Sequence, residues 1–237
     1  MGSSSKFAWA AFDAPGRSLI EAGTDPGTAV SALASGLLAG AQAALLLEAP
    51  MSVPVPWQPA RRVAQPGKAR DGEGDRPWSA GAGAGVLATR LAQDAWMLRQ
   101  LAVAVPGLTA TTRPGSWRHG GGQLLLAEAF ITAAGKPEPL PAGQYAADDA
   151  AAGLALAEVL DGSGPLTSTV SCAPQGPFNL LAAMALCAGL RIDPAELHAE
   201  VLVVAARPAT QGHVHDCGAS AVIVTRSHVS TGRIVMP

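Results

Sequence analysis

Apolar residues in this chain come in short unbroken runs separated by proline, glycine and charge. Two of the runs share a form: Phe7-Ala-Trp-Ala-Ala-Phe-Asp13-Ala14-Pro15 and Ala43-Ala-Leu-Leu-Leu-Glu48-Ala49-Pro50. Each reads as a buried strand closed by an acid. Pro15-Gly16 suits a tight turn, so residues 7–13 and 17–23 are expected to form a β-hairpin. A helix capped by Thr28 follows, with Val30, Leu33, Leu37, Leu38 and Ala41 at helical spacing. Residues 43–48 are the next strand. Strand, hairpin return, helix and strand is the grammar of an α/β fold.

Residues 51–85 change character to proline, glycine, arginine and acids, and a loop of this length is either functional or mobile. A helix over 84–103 places Leu87, Leu91, Ala95, Leu98 and Leu101 on one stripe, widened by Trp96 and Met97. Beyond a second loop at 107–122 come a strand at 123–131 that embeds Glu128 and an Ala/Leu helix at 147–160 opened by Asp148 and Asp149. A final section alternates strand 167–172, helix 177–190 and strand 199–206. It ends with Gly212-His-Val-His-Asp216 before the apolar run 219–225.

Composition narrows the picture. With 237 residues, of which 49% are hydrophobic, the chain supports a substantial core and is expected to form one domain. The formal charge of -2, with basic residues not massed on one helix or tail, gives no strong nucleic-acid footprint. The three cysteines, Cys172, Cys187 and Cys217, are widely spaced and argue against a disulfide framework or a structural zinc site, which fits a reducing cytoplasm. No leader-like stretch opens the sequence and no run is long enough to span a membrane, so no membrane association is expected.

An acid closing a buried strand is costly to desolvate, which makes Asp13 and Glu48 the leading site candidates. Asp13, Glu48, Glu128 and the Asp148/Asp149 pair supply the oxygen ligands that Mg²⁺ or Mn²⁺ prefers. Each also has a plain role. Asp13 suits a turn, Glu128 an exposed edge-strand face, and Asp148 and Asp149 a helix N-terminus. His213 and Asp216 at i, i+3 are an alternative metal pair, set against a surface role. Gly81-Ala-Gly-Ala-Gly85 lacks the strand and the Lys-Ser/Thr of a phosphate loop.

The order of these features resembles the RNase H-like nucleases of the RuvC and integrase superfamily. The resemblance rests on Asp13 in the first strand, Leu-Leu-Leu-Glu48-Ala-Pro-Met-Ser, Glu128-Ala-Phe, and Asp148-Asp149 opening a late helix. It covers roughly residues 7–160. The His213-x-x-Asp216 spacing is similar to the ending of some RuvC-type resolvases. The resemblance implies an RNase H-like mixed β-sheet flanked by helices, with residues 161–237 as a C-terminal α/β extension. It also implies a metal-dependent phosphodiester hydrolase acting on DNA or RNA. In that reading Asp13, Glu48 and Asp149 hold Mg²⁺ or Mn²⁺, Glu128 and Asp148 support them, and Arg61, Arg62, Arg113 and Arg118 grip phosphates. Asp13 and Glu48 are then expected on neighbouring strands within reach of one cation. The competing readings are a non-catalytic RNase H-like binding module and a metabolite kinase of the related actin-like fold.

Overall fold

A computed structural model describes residues 7–13, 18–56, 69–73, 78–130, 156, 168–205 and 219–226. The hairpin forms as the sequence predicts, with β1 (Phe7–Asp13) antiparallel to β2 (Ser18–Gly23). Helix α1 (Pro26–Leu38) starts three residues earlier than Thr28 would set it. Asp25 is its cap, with its carboxylate accepting from the Thr28 amide at 2.7 Å and Pro26 taking the first turn. Then come β3 (Gln42–Leu47), β4 (Ser52–Pro54), α2 (Gly81–Ala104), β5 (Ala110–Thr111), the short α3 (Pro114–Arg118) and β6 (Leu124–Phe130). The last section holds β7 (Pro177–Asn179), α4 (Leu180–Ala188), a 3-10 turn at Pro194–His198, β8 (Val203–Ala205) and β9 (Ala219–Arg226).

Seven strands form one mixed sheet in the order β2-β1-β9-β3-β6-β5, and β8 pairs with β6. β5 lies against the first half of β6 and β8 against its end, both parallel to it. β4 and β7 form a separate antiparallel ribbon. The C-terminal section is therefore no appendage to the sheet. β9 sits between β1 and β3, parallel to the first and antiparallel to the second, so a strand from the end of the chain joins the hairpin to the parallel strands.

β3 is apolar at successive positions because both of its faces are covered. Ala43, Leu45 and Leu47 join Phe7, Trp9, Leu124 and Leu126 in the core that α1, α2 and α4 close. The alternate residues Ala44, Leu46, Leu125 and Ala127 are also out of solvent, as is Leu156, a helical residue from the Ala/Leu segment predicted at 147–160. Each fully buried leucine contributes about 1.5–3 kcal/mol, so this central strand is the sheet's main apolar anchor.

α2 keeps the stripe that spacing suggests at Leu91, Ala95, Leu98 and Leu101, with Met97 beside them, and departs from it at Trp96 and at two buried charges. Trp96 is 44% exposed, while Arg90 and Asp94 are fully buried in line with Met97, Leu98 and Leu101. A lysine-free helix with only two arginines and one acid gave no way to tell which polar positions the core would claim.

Helices α1, α2 and α4 end where β3, β5 and the extended segment 190–193 begin, since each reaches the following segment through a short turn. Their carbonyl ends collect partial negative charge at that end of the sheet. Two arginines answer it crosswise. Arg99 of α2 donates from Nη1 to the Ala188 carbonyl that closes α4, and the Arg191 guanidinium, following α4, packs against Gly107, which follows α2. Gly107 and Gly189 both have φ near +80 to +90, the left-handed turn that ends such helices. Replacing Arg99 with alanine removes one hydrogen bond and one favourable charge at the α4 terminus. Urea unfolding is expected to show a loss of about 1 kcal/mol.

Candidate functional site

The carboxyl ends of β3 and β6 converge because the two strands are parallel and Leu47 pairs with Glu128. Open α/β sheets place their ligand chemistry at such ends. Glu48, the next residue after β3, is half-buried there, and Met51 and Ser52 follow it into the interior. Glu128 does not face outward from an edge. It is buried, and its Oε2 accepts from the Met51 amide at 2.8 Å.

The partner that satisfies Glu128 comes from the long loop. Residues 69–73 lie across this end of the sheet and deliver Arg70, buried, to the acid. Nη1 meets Oε2 and Nη2 meets Oε1, both at 2.7 Å, a bidentate fork. Arg70 also donates to Ser52 Oγ at 3.2 Å and to Glu73 Oε1 at 3.2 Å, while its backbone amide binds Glu73 Oε2 at 2.9 Å. Asp71 exchanges two backbone hydrogen bonds with Ser171, and a Cβ on Gly72 would collide with the Thr169 carbonyl. Of the loop expected over 51–85 to be functional or mobile, residues 52–55, through the β4–β7 ribbon, and 69–73 are held by hydrogen bonds to the rest of the fold.

Burial works against the charge of Arg70, and the Glu128 carboxylate more than offsets it, so the guanidinium is held more firmly protonated than usual. The same burial pushes the Glu128 carboxyl upward, while Arg70 and the Met51 amide pull it back. With each oxygen of Glu128 accepting a 2.7 Å bond from the fork, the geometry is that of an ionised pair. Cys172 stands close by. Burial pushes its thiol up to about 11, a value that leaves it protonated and unreactive at neutral pH. Glu200 accepts from the Cys172 amide and the Ser171 hydroxyl, closing the outer side.

The expectation that Asp13 and Glu48 share a cation is overturned by strand sense. Asp13 pairs with Thr225 of β9, and Thr225 pairs with Ala43 at the start of β3. Glu48 lies beyond the other end of that strand. At 3.3 Å per residue the five residues from Ala43 to Glu48 separate the two positions by about 16 Å along the sheet. An antiparallel strand between β1 and β3 reverses their relative direction, which a list of strand-ending acids does not reveal.

Asp148, Asp149, Arg61, Arg62, His213 and Asp216 lie outside the described residues. Arg113 is exposed and stands 3.8 Å from the equally exposed Asp193; Arg118 is half-buried on α3. Among the described residues no group of three His, Cys, Asp or Glu side chains is arranged to hold a metal ion. Among them, too, no helix is long and apolar enough to cross a membrane.

A second buried acid, Glu196, closes no strand. Glu196 accepts from the hydroxyls of Thr111 and Thr112 and from the Thr112 amide, and Asn179 joins this set by donating to Thr112 Oγ1 at 2.9 Å. Asn179 also caps α4 through the Ala182 amide. This network ties the end of β5 to the start of α4. Its only signal in sequence is Asp193-Pro-Ala-Glu196, a cap followed by a third-position acid.

No family model, no curated protein and no solved structure matches this chain.

Breaking the Arg70–Glu128 fork leaves a dry unpaired charge. Arg70→Met and Glu128→Gln are each expected to cost about 3–5 kcal/mol in urea unfolding. The double replacement Arg70→Met with Glu128→Met should cost less than the two single losses added together, because each single change strands the other's partner.

Proposed function

We propose that this chain is a non-catalytic binding module built on an RNase H-like sheet. The hairpin, the following helix and the parallel strands β3 and β6 support that architecture. One observation carries the functional reading: both carboxylate oxygens of Glu128, at the very place an α/β sheet offers to ligands, are taken by the chain's own guanidinium and a backbone amide. A divalent cation there would have to displace Arg70, and a buried arginine beside the acids opposes a second positive charge. In this reading Glu128 and Glu73 hold the loop to the sheet, and Asp25 and Asp193 serve as helix caps.

A second reading, a Mg²⁺- or Mn²⁺-dependent phosphodiester hydrolase of nucleic acid, is favoured by one feature. The Leu47–Glu128 register sets Glu48 next to the Glu128 strand at the carboxyl ends of two parallel strands. Exposed Arg113 would then be a phosphate contact.

Thermal unfolding with and without millimolar Mn²⁺, together with incubation of the protein with labelled single- and double-stranded oligonucleotides, separates the two. The module reading expects an unchanged Tm and intact oligonucleotides. Saturating a real site at one hundred times its Kd would stabilise the fold by about 2.7 kcal/mol, a shift too large to miss. A raised Tm with cleavage, both lost in Glu48→Gln, would replace the module by the hydrolase.

A further inference from the structure

The two charges inside α2 satisfy each other poorly. Arg90 and Asp94 lie one turn apart with both side chains at 0% exposure, and their closest approach is 3.4 Å, between Nε and Oδ1. This is not the fork seen at Arg70. Among the described residues, neither oxygen of Asp94 has a hydrogen-bond partner. Arg90 instead stands over the Phe7 ring at 5.9 Å and reaches Gln93 Oε1 at 3.3 Å. A buried carboxylate keeps its charge comfortably only when hydrogen bonds or a close cation replace the water it has lost.

The surroundings offer Asp94 little else. The helices packed on α2 are α1 and α4. α1 contains no ionisable side chain, and in α4 the one such group, Cys187, is exposed. On β1, the strand under Arg90, the one acid is Asp13 at the end remote from Phe7. Arg99, further along α2, is exposed and turned to the Ala188 carbonyl. Among the described residues, Arg90 is therefore the one charge that counters Asp94.

We infer that α2 is a pH-sensitive element of the core, seated most firmly when Asp94 carries a proton and loosened when it ionises. The stripe that holds Asp94 also carries Met97, Leu98 and Leu101, so the cost of the buried charge falls on the seating of the whole helix. Burial raises the Asp94 carboxyl from 3.8 to about 6, with Arg90 pulling it part of the way back. A folded-state value above the unfolded one means that the folded form binds the extra proton between them. The stability it contributes is complete below about 3.8 and is lost as the pH rises through about 6. This inference is independent of the reading of Glu128, which lies on the sheet and not on α2.

Urea unfolding of the full chain and of Asp94→Asn from pH 4 to pH 8, with the side-chain carboxyl of Asp94 followed by ¹³C NMR in the unsubstituted protein, tests it. The unsubstituted chain is expected to lose stability relative to Asp94→Asn as the pH rises from about 4 to about 6.5, with a carboxyl midpoint near 6. Amide exchange, corrected for its intrinsic pH dependence, should lose protection in α2 before β3. Parallel stability profiles, or a midpoint at or below 4.5, would overturn the inference. The midpoint alone decides the matter if Asp94→Asn does not fold.

Discussion

Glu128 is an acid on a strand that water does not reach, and the arrangement around the carboxyl ends of β3 and β6 follows from satisfying it. A lone carboxylate at that depth is too costly to keep ionised, so it has to be met by donors from elsewhere in the chain. The Met51 amide arrives because β3 turns back immediately after Glu48, and Arg70 arrives because residues 69–73 cross the sheet end. Glu73 and Ser52 then occupy further donors of the same guanidinium. What composition presents as a charged, proline-rich loop is at this point an anchored part of the interior.

The sense of the strands distributes charge over the molecule. Helices α1, α2 and α4 begin near the carboxyl end of β3 and finish near its start, so their dipoles add along one direction. Glu48, Glu73 and Glu128 gather where the helices begin. Arg99 and Arg191 gather where they end, the first on the closing carbonyl of α4 and the second against Gly107 beyond α2. The same polarity separates Asp13 from Glu48. With β9 between them, β1 and β3 point in opposite directions and carry their terminal acids to opposite ends.

The two buried ion pairs show how much geometry decides. At Arg70–Glu128 a planar fork meets both oxygens at 2.7 Å, and an amide adds a third bond, so burial reinforces the attraction. At Arg90–Asp94 both side chains leave one helix a turn apart, and their closest approach is 3.4 Å without a hydrogen bond to either oxygen among the described residues. The first pair joins elements distant in sequence and holds a loop down. The second sits within one helix, with Arg90 over the Phe7 ring, and its acid is the member of the pair that gives up its charge, by taking a proton.

Local pattern was enough to place most of the elements. Unbroken apolar runs mark β1, β3 and β6, because strands covered on both faces need no polar alternation, and a further apolar run marks β9; Asn179 and Asp25 show how short polar side chains fix helix starts within a few residues. Pairing was beyond its reach. That a strand from residues 219–226 enters between β1 and β3 depends on contacts made across nearly the whole chain, and it puts Asp13 and Glu48 at opposite ends of the sheet. The interior position of Arg70, Arg90 and Asp94 was equally hidden, since a charged residue reads as solvated until its partner is known. Residue types and spacing thus determined the α/β class and the supply of carboxylates, whereas strand sense and the meeting of Arg70 with Glu128, which are long-range pairings, were decided only in the folded molecule.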